Sequence, residues 1–291
     1  MKCTSPIAVP LRGNALRSYI KYNNVDSRLA QEYYYRESTG QFKLLPREYQ
    51  PCGKCLYCRR SMQNAWVFRN IVEYQKYPNA FFLTLTYDED HIDPRGSLVK
   101  EHVQKMFKRM RFDGAHFSYF YCGEYGKKYL RPHYHLLWYN HDKECFVQHE
   151  VYRLFVRYWD FGQLFIGSVT PASIMYCTKY ILKECRTPLG CLPPYADSSR
   201  RPAVGSSFFG SQHARFLKEN LRTASALPFN FLGSIPRYYR DRIFSVEDKY
   251  KMYCRQHDEQ DLLKEYHRDH LLETMENIYF FKQFMYDKST F

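Results

Sequence analysis

The sequence contains no apolar run that approaches the ~20 residues a helix needs to cross a bilayer, so membrane insertion is not expected. Its first residues, "MKCTSPIAVPLRGNALRSY", have no apolar segment of the kind that directs secretion. Internal repeats and low-complexity tracts are missing as well, and these absences argue against repeat architectures and global disorder. We therefore expect a globular protein that works in a cytoplasm.

The ten cysteines are then expected in a reducing compartment, where thiols act as metal ligands or core residues rather than in disulfides. Cys52, Cys55 and Cys58 form a C-x₂-C-x₂-C cluster, which supplies three thiolates. Structural zinc usually takes four ligands in a tetrahedron, and Cys3 is the expected fourth because it would anchor the N-terminal segment. An iron–sulfur cluster and reduced cysteines without metal are the alternatives.

The charge of the chain is strongly asymmetric. Formal net charge is +13, from 43 Lys+Arg against 30 Asp+Glu. Residues 247–291 hold 7 Lys+Arg and 10 Asp+Glu, so residues 1–246 carry +16. Because 28 Tyr and 22 Phe lie between these charges, the composition suits a polyanion whose bases can stack, such as single-stranded nucleic acid. Basic composition alone does not specify such a partner.

Periodicity divides the chain into four regions. Alternation and helical spacing over the second region give the order β-α-β-β-α-β-α, which predicts an α+β fold with helices packed on an antiparallel sheet. The predicted regions are an irregular N-terminal segment with the cysteine cluster and a helix over 59–77 (1–78), the core (79–185), a basic Pro/Gly/Ser-rich region (186–246) and an acidic helical extension (247–291).

The third helix of the core begins with "TPASIMYCTKYILKE", in which Thr170 is the expected N-cap and Pro171 the first helical residue. At about 100° per residue, Tyr176, Tyr180 and Lys183 fall within about 60° of one another. Lys179 lies on their flank, and the opposite side is aliphatic. The helix is therefore expected to present two phenols and two ammonium groups together, although tyrosines at this spacing also occur through structural packing alone.

"LRPHYHLLWYN" places His133 and His135 one residue apart in a run with strand character. Side chains alternate faces along a strand, so both imidazoles are expected on one face, roughly 6–7 Å apart. Two neutral imidazoles in that arrangement can converge on one metal ion. The alternative is a pair of half-buried histidines in hydrogen bonds.

Three stretches occur in one order, "FFLTLTY", "CGEYG…RPHYHLL" and "YCTKYILK", and together they resemble the three motifs of HUH endonucleases, the rolling-circle replication initiators. The paired tyrosines are similar to those of the initiators of the Microviridae, small single-stranded DNA phages. Cys3, "PCGKC..C" and "SSRRPAVG" resemble more narrowly the gokushovirus-type initiator. The resemblance covers most of residues 1–210.

The resemblance implies an HUH/Rep-like fold, a ferredoxin-like variant, and a hard metal, Mg²⁺ or Mn²⁺, bound by the two histidines and a carboxylate. Glu124, nine residues before His133, is the expected third ligand. Asp88 and Asp90 are the fallback ligands, and a solvated turn is the alternative role for Glu124.

For the remaining site residues the resemblance implies roles in DNA chemistry. Tyr176 or Tyr180 would attack a phosphodiester, and a neighbouring lysine would orient the phosphate or stabilise the tyrosinate. The lysines are Lys179 and Lys183, and the expected DNA-binding residues are Arg131, Arg200 and Arg201. A solvated basic loop is the alternative reading of the last two.

The expected function is a site- and strand-specific endonuclease and ligase that nicks a phage origin through a 5′-phosphotyrosine, in the cytoplasm of a bacterial host. Expected partners are single-stranded DNA, origin duplex DNA and the host helicase and polymerase. A plasmid or transposon HUH nickase and a non-catalytic zinc-stabilised nucleic-acid binder are the alternatives. A histidine-triad nucleotide hydrolase would need a third histidine where Leu137 stands.

Overall fold

The computed structural model describes residues 3–4, 6–22, 24–179, 187–227, 231–245, 247–249, 251–252 and 255. Two compact units divide the chain, residues 1–205 and residues 206–291. The C-terminal helix predicted over residues 261–284 lies outside the described residues.

Within the first unit, the described elements follow the predicted order of strands and helices from residue 80 onward. The strands are β1 (Ile7–Pro10), β2 (Arg47–Gln50), β3 (Ala80–Tyr87), β4 (Phe117–Tyr125), β5 (Pro132–Asn140), β6 (Gly162–Ser168) and β7 (Tyr195–Ser198). The helices are α1 (Gly13–Tyr22), α2 (Ser27–Ser38), α3 (Leu56–Lys76), α4 (Lys100–Phe112), α5 (Gln148–Val156) and α6 (Pro171–Lys179).

A five-stranded sheet in the order β6-β3-β5-β4-β7 forms the centre of this unit. All four of its strand pairs are antiparallel. Helices pack on it, so the predicted α+β class is confirmed. The predicted cap of the third helix is also present, because the Thr170 hydroxyl accepts the Ser173 N–H at 3.1 Å.

Alternation along the strands separates two faces of the sheet. One face packs against α4 and α5 and forms a dense aromatic core in which, for example, Trp138 meets Phe155 with ring centroids 5.6 Å apart. The opposite face lies under α3 and α6. Trp66 of α3 contacts Phe120 there, and the Tyr139 hydroxyl donates to Asn70 Oδ1 at 2.9 Å. His133 and His135 lie on this second face.

The N-terminal 50 residues are more regular than their lack of a sustained period predicted. β1 and β2 pair as an antiparallel ribbon with Ile7 opposite Gln50. Between them, α1 and α2 enclose a small apolar core around Leu16 and Leu45. This local core is too small to impose a long hydrophobic period, so the sequence pattern did not reveal it. The ribbon brings the two chain segments that bear Cys3 and Cys52 together.

A buried carboxylate ties several elements of the first unit together. Glu73 of α3 is only 2% exposed and accepts hydrogen bonds from the Ser118 hydroxyl and, at 2.6 Å, from the Gly205 N–H. Arg69 donates to the carbonyl of buried Val204 at 2.9 Å. The end of the "SSRRPAVG" stretch is therefore held against α3 rather than solvated.

β6 enters the sheet at a position that only glycine tolerates. Gly162 has φ +145°, and a Cβ there would lie 2.4 Å from the Asp88 nitrogen and from the Thr86 carbonyl oxygen. A side chain at this position would push β6 away from β3. The glycine thus fixes how closely the edge strand approaches the strand beside the histidines.

In the second unit, the described elements are a 3₁₀-helix (Ser206–Gly210), α7 (Gln212–Glu219), β8 (Ala224–Leu227), β9 (Phe231–Ser234) and α8 (Arg237–Ile243). Phe208 and Tyr239 pack together with ring centroids 4.7 Å apart. The boundary between the units falls inside the predicted 186–246 region. Among the described residues, no helix is both long and apolar enough to span a membrane.

Candidate active site

Strand register assembles the candidate site. In the β4–β5 pair, Glu124 lies directly opposite His133, and Cys122 lies opposite His135. Directly opposed residues share a face of the sheet, as do residues two apart on one strand. Glu124, His133 and His135 therefore point to the same place, although the hairpin loop separates them in sequence.

The three side chains lie close enough to share one ion. Glu124 Oε1 is 3.0 Å from His133 Nε2 and 2.8 Å from His135 Nε2. Adjacent ligands of an octahedral ion with bonds of ~2.1 Å lie about 3 Å apart, which matches both distances. The carboxylate and the two imidazoles therefore fit a small divalent cation such as Mg²⁺ or Mn²⁺.

The surroundings of His133 orient its free nitrogen toward the carboxylate. Its Nδ1 lies 3.1 Å from the Arg131 carbonyl oxygen, which can only accept a hydrogen bond, so the Nδ1 carries the proton. In the neutral ring, Nε2 then offers a lone pair to Glu124, itself an acceptor. Two acceptors 3.0 Å apart need a positive species between them, either a proton or a metal ion.

His135 is held by two neighbours on β3. Its Nδ1 lies 3.0 Å from the Thr84 hydroxyl, and its ring stacks on Phe82 with centroids 5.6 Å apart. Burial lowers the pKa of His135, more than the hydrogen bond to Glu124 raises it. A neutral imidazole with a fixed second nitrogen is the form that binds a metal.

Glu124 is only 4% exposed, which excludes the alternative of a solvated turn glutamate. A carboxylate at that depth needs a compensating charge or hydrogen bonds. The fallback ligands do not join the group, since the Asp88 carboxylate binds His91 at 2.7 Å, an interaction that lowers the pKa of Asp88. Asp90 likewise lies outside the group of ligands found within 4.8 Å of one another.

Tyr176 of α6 borders the three ligands. Its hydroxyl lies 3.4 Å from Glu124 Oε1 and 3.4 Å from His135 Nε2. Lys179, one turn later, places its ammonium group 3.9 Å from the centroid of the Tyr176 ring. A phenol, a cation and a metal-type ligand set therefore meet at one point. Tyr180 and Lys183 lie outside the described residues.

The four cysteines predicted as a zinc site also come together. Their sulfur atoms lie within 4.8 Å of one another, with Cys52 Sγ 4.0 Å from Cys58 Sγ and Cys55 Sγ 3.8 Å from Cys3 Sγ. Tetrahedral ligands 2.3 Å from a zinc ion lie about 3.8 Å apart. The residues therefore fit a single tetrahedral ion, whereas a multi-iron cluster needs more room.

Backbone donors favour thiolates in this cluster. The Cys55 N–H donates to Cys52 Sγ at 3.3 Å and lowers the pKa of Cys52. Backbone donors at Cys58 and Thr4 lower the pKa of Cys55 to about 5. Burial raises the pKa of Cys58 to about 12. Without a cation, the four sulfurs cannot all be thiolates at neutral pH.

The three predicted DNA-binding arginines lie in different places. Arg131 is next to the site, but its guanidinium donates to the Tyr87 carbonyl at 2.8 Å and pairs with Glu89. Arg200 and Arg201 follow β7, whose last residue, Ser198, pairs with Phe120. At ~3.3 Å per residue that register puts Arg200 about 20 Å along the sheet from Glu124, too far to share a phosphate with it.

Sequence reasoning missed Thr84 and Phe82 as supports of His135. The stretch "FFLTLTY" showed that both point to one face, but nothing in it revealed which residue of β5 they oppose. The Arg131 carbonyl was missed for a different reason, because a backbone acceptor leaves no trace in residue identity.

Comparison with known proteins bears on this region. Residues 80–185 match the model of a family described as replication-associated protein ORF2. The replication-associated protein VP4 of Bdellovibrio phage phiMH2K is 29% identical over 211 residues, which cover 66% of this chain and 66% of that protein.

Replication-associated protein ORF2 of Spiroplasma virus 4 and replication-associated protein ORF4 of Chlamydia phage 1 are each 28% identical over 216 residues. Those alignments cover 66% of this chain and 67% and 52% of the relatives. The chain thus spans between half and two thirds of the length of these proteins. No solved structure matches. The resemblance predicted from the sequence is confirmed: this chain is similar to the replication-associated proteins of Microviridae-type phages.

Proposed function

We propose that this protein is a site- and strand-specific DNA endonuclease and ligase that nicks a phage origin to begin, and later to end, rolling-circle replication. The observation that carries the proposal is the Tyr176 hydroxyl 3.4 Å from both Glu124 and His135, where a nucleophile and a metal-type ligand set share one point. The similarity to phage replication-associated proteins supports the same conclusion.

In the proposed reaction, the Tyr176 oxygen attacks the phosphorus of one phosphodiester. The bond from that phosphorus to the 3′ oxygen breaks, and the released 3′-hydroxyl takes up a proton. The tyrosine keeps the 5′-phosphate as an ester, so attack by a 3′-hydroxyl reverses the step and joins DNA ends. Bound Mg²⁺ or Mn²⁺ would polarise the scissile phosphate and stabilise the charge on the leaving oxygen.

The chain's own residues prepare the nucleophile. The Lys179 ammonium on the face of the Tyr176 ring stabilises negative charge on the phenolate oxygen. Glu124 Oε1 lies within reach of the Tyr176 proton. Tyr180, four residues later, is proposed as a second nucleophile that cuts while the first tyrosine is occupied, with Lys183 as its cation.

The cysteine cluster is proposed to hold one structural zinc ion. Its ligand set is complete within the protein, and it joins the N-terminal ribbon to the start of α3. The proposed substrates are single-stranded DNA and origin duplex DNA in the cytoplasm of a bacterial host, with host helicase and polymerase following. Arg131, Arg200 and Arg201 remain proposed DNA contacts.

Covalent trapping tests the nuclease proposal. Purified protein is mixed with end-labelled single-stranded origin DNA and Mn²⁺, and the adduct is mapped by mass spectrometry. Tyr176→Phe and Tyr180→Phe should each retain some adduct, and the double variant should have none. Tyr152→Phe, an exposed tyrosine on α5, is the matched control and should behave as wild type. An adduct on any other residue of the wild-type protein contradicts the proposal.

A further inference from the structure

An aromatic side chain stands in solvent beside the candidate site. The β3–β6 register places Phe165 opposite Thr84, and the β3–β5 register places Thr84 opposite His135. These three residues therefore form one row across three strands. The hydrogen bond between the Thr84 hydroxyl and His135 Nδ1 shows that the row lies on the catalytic face.

Phe165 is 64% exposed even though its strand is firmly held. The next residue, Ile166, is 4% exposed and belongs to the core on the opposite face, and Leu164 packs against the same core. β6 is an edge strand, where a polar side chain would be the ordinary choice on an exposed face. The ring at 165 is thus not needed for packing, and its exposure carries a hydrophobic cost.

The floor between this ring and the metal ligands is open. Two strand spacings of ~4.8 Å put Phe165 about 10 Å from His135 in the sheet. Thr84 and Thr86 between them are only partly buried, and Gln163, two residues before Phe165 on the same face, is exposed. A strand of DNA whose phosphate lies at the histidines can therefore extend over this surface.

We propose that Phe165 stacks on a nucleobase of the single strand next to the phosphate held at His133 and His135. Aromatic rings beside a phosphate-binding site are how proteins hold unpaired bases, because every base offers a face for stacking. The inference rests on the proposed function, since it takes single-stranded DNA as the substrate. Stacking at this position holds the strand in line with the Tyr176 hydroxyl.

The experiment measures binding and stacking without chemistry. Tyr176→Phe/Tyr180→Phe protein is titrated with a single-stranded origin oligonucleotide, and fluorescence anisotropy gives the Kd. Oligonucleotides with 2-aminopurine at successive positions then report which base stacks. Adding Phe165→Ala should weaken binding by about 5- to 150-fold, the equivalent of ~1–3 kcal/mol for one stacked base. It should also remove the quenching at one position.

Two further variants separate stacking from loss of exposed apolar surface. Phe165→Trp should restore both affinity and quenching, because an indole stacks at least as well. Phe112→Ala removes a ring that is 91% exposed on α4, which packs on the opposite face of the sheet, and should leave both readouts at the starting value.

Equal effects of Phe165→Ala and Phe112→Ala, or unchanged quenching in Phe165→Ala, overturn the inference. It is overturned as well if Phe165→Ala alters the oligomeric state in sedimentation rather than the Kd, since the ring would then serve contact between copies. Failure of the proposed function shows separately, as a wild-type protein that binds DNA through Phe165 but forms no adduct with Mn²⁺.

Discussion

The two candidate metal centres differ in how completely the protein surrounds them. Four cysteines meet at the N-terminal centre and leave no position for another ligand of a tetrahedral ion. Glu124, His133 and His135 supply three ligands on one face of a sheet, with the Tyr176 hydroxyl beside them. A closed centre stabilises a fold, whereas an open one leaves room for substrate.

The supports of the two centres also differ. Backbone N–H groups point at the cysteine sulfurs, as the Cys52 N–H does toward Cys3 at 3.3 Å, so the loop itself forms the site. The histidines are instead oriented by the Thr84 side chain and the Arg131 carbonyl, on other parts of the sheet and hairpin. We therefore expect damage to the first centre to unfold a segment and damage to the second to stop chemistry.

The largest effect is expected from His133→Ala. Removing one of three ligands should lower adduct formation by roughly 10³-fold or more, because a bound metal contributes several kcal/mol to phosphoryl transfer. Affinity for single-stranded DNA should change little, since phosphate and base contacts lie elsewhere. Gel analysis of the adduct and anisotropy measure the two quantities. His149→Ala, on exposed α5, is the control, and a His133→Ala protein that nicks at the wild-type rate with metal present contradicts the assignment.

Cys52→Ser should act on stability instead. Losing a structural metal is expected to cost ~4 kcal/mol or more, which corresponds to a fall of roughly 8–16 °C in Tm for a domain of this size. Elemental analysis should find one zinc per wild-type chain and none in the variant. The control is Cys145→Ser, because Cys145 is exposed and outside the cluster. Wild-type protein with neither zinc nor iron at stoichiometric level would show that these are plain cysteines.

Thr84→Val should have a smaller effect, confined to the open centre. Without the hydroxyl, His135 loses the hydrogen bond that orients its ring, and Mn²⁺ affinity should fall by about 10- to 100-fold. Electron paramagnetic resonance measures free Mn²⁺ directly, without DNA. Thr84→Ser should restore the affinity. Thr86→Val is the matched control, since Thr86 lies opposite His133 on the same strand and shows no hydroxyl hydrogen bond to a described residue.

The smallest effect concerns thiol reactivity after zinc removal. With its pKa at about 5, Cys55 stays a thiolate from pH 8 down to pH 6, so its alkylation rate should be nearly flat over that range and fall only as the pH approaches 5. Cys58, with its pKa raised to about 12, should react last. Mass spectrometry after iodoacetamide pulses measures both rates. A tenfold fall in the Cys55 rate from pH 8 to pH 7 would mark an ordinary thiol.

Much of the core could be read from the sequence. The strands over 80–87 and 132–140 alternate apolar and polar residues, and their predicted limits lie within a residue or two of those observed. Periodicity succeeded there because each strand buries one face against a large core. The helices α1 and α2 were not predicted, because their apolar side chains meet only a small local core, which demands little regularity.

Residue type and spacing by themselves determined which groups can bind a metal or attack a phosphate: two imidazoles on one strand face, four thiols, and a tyrosine one turn from a lysine. Tertiary structure alone decided which of them meet. The β4–β5 register chose Glu124 over Asp88 as the carboxylate at the histidines, and the β3 pairings set Thr84 on His135 and Phe165 beyond it. Register depends on how whole strands pack against the core, because a shift of one residue would turn every side chain to the other face.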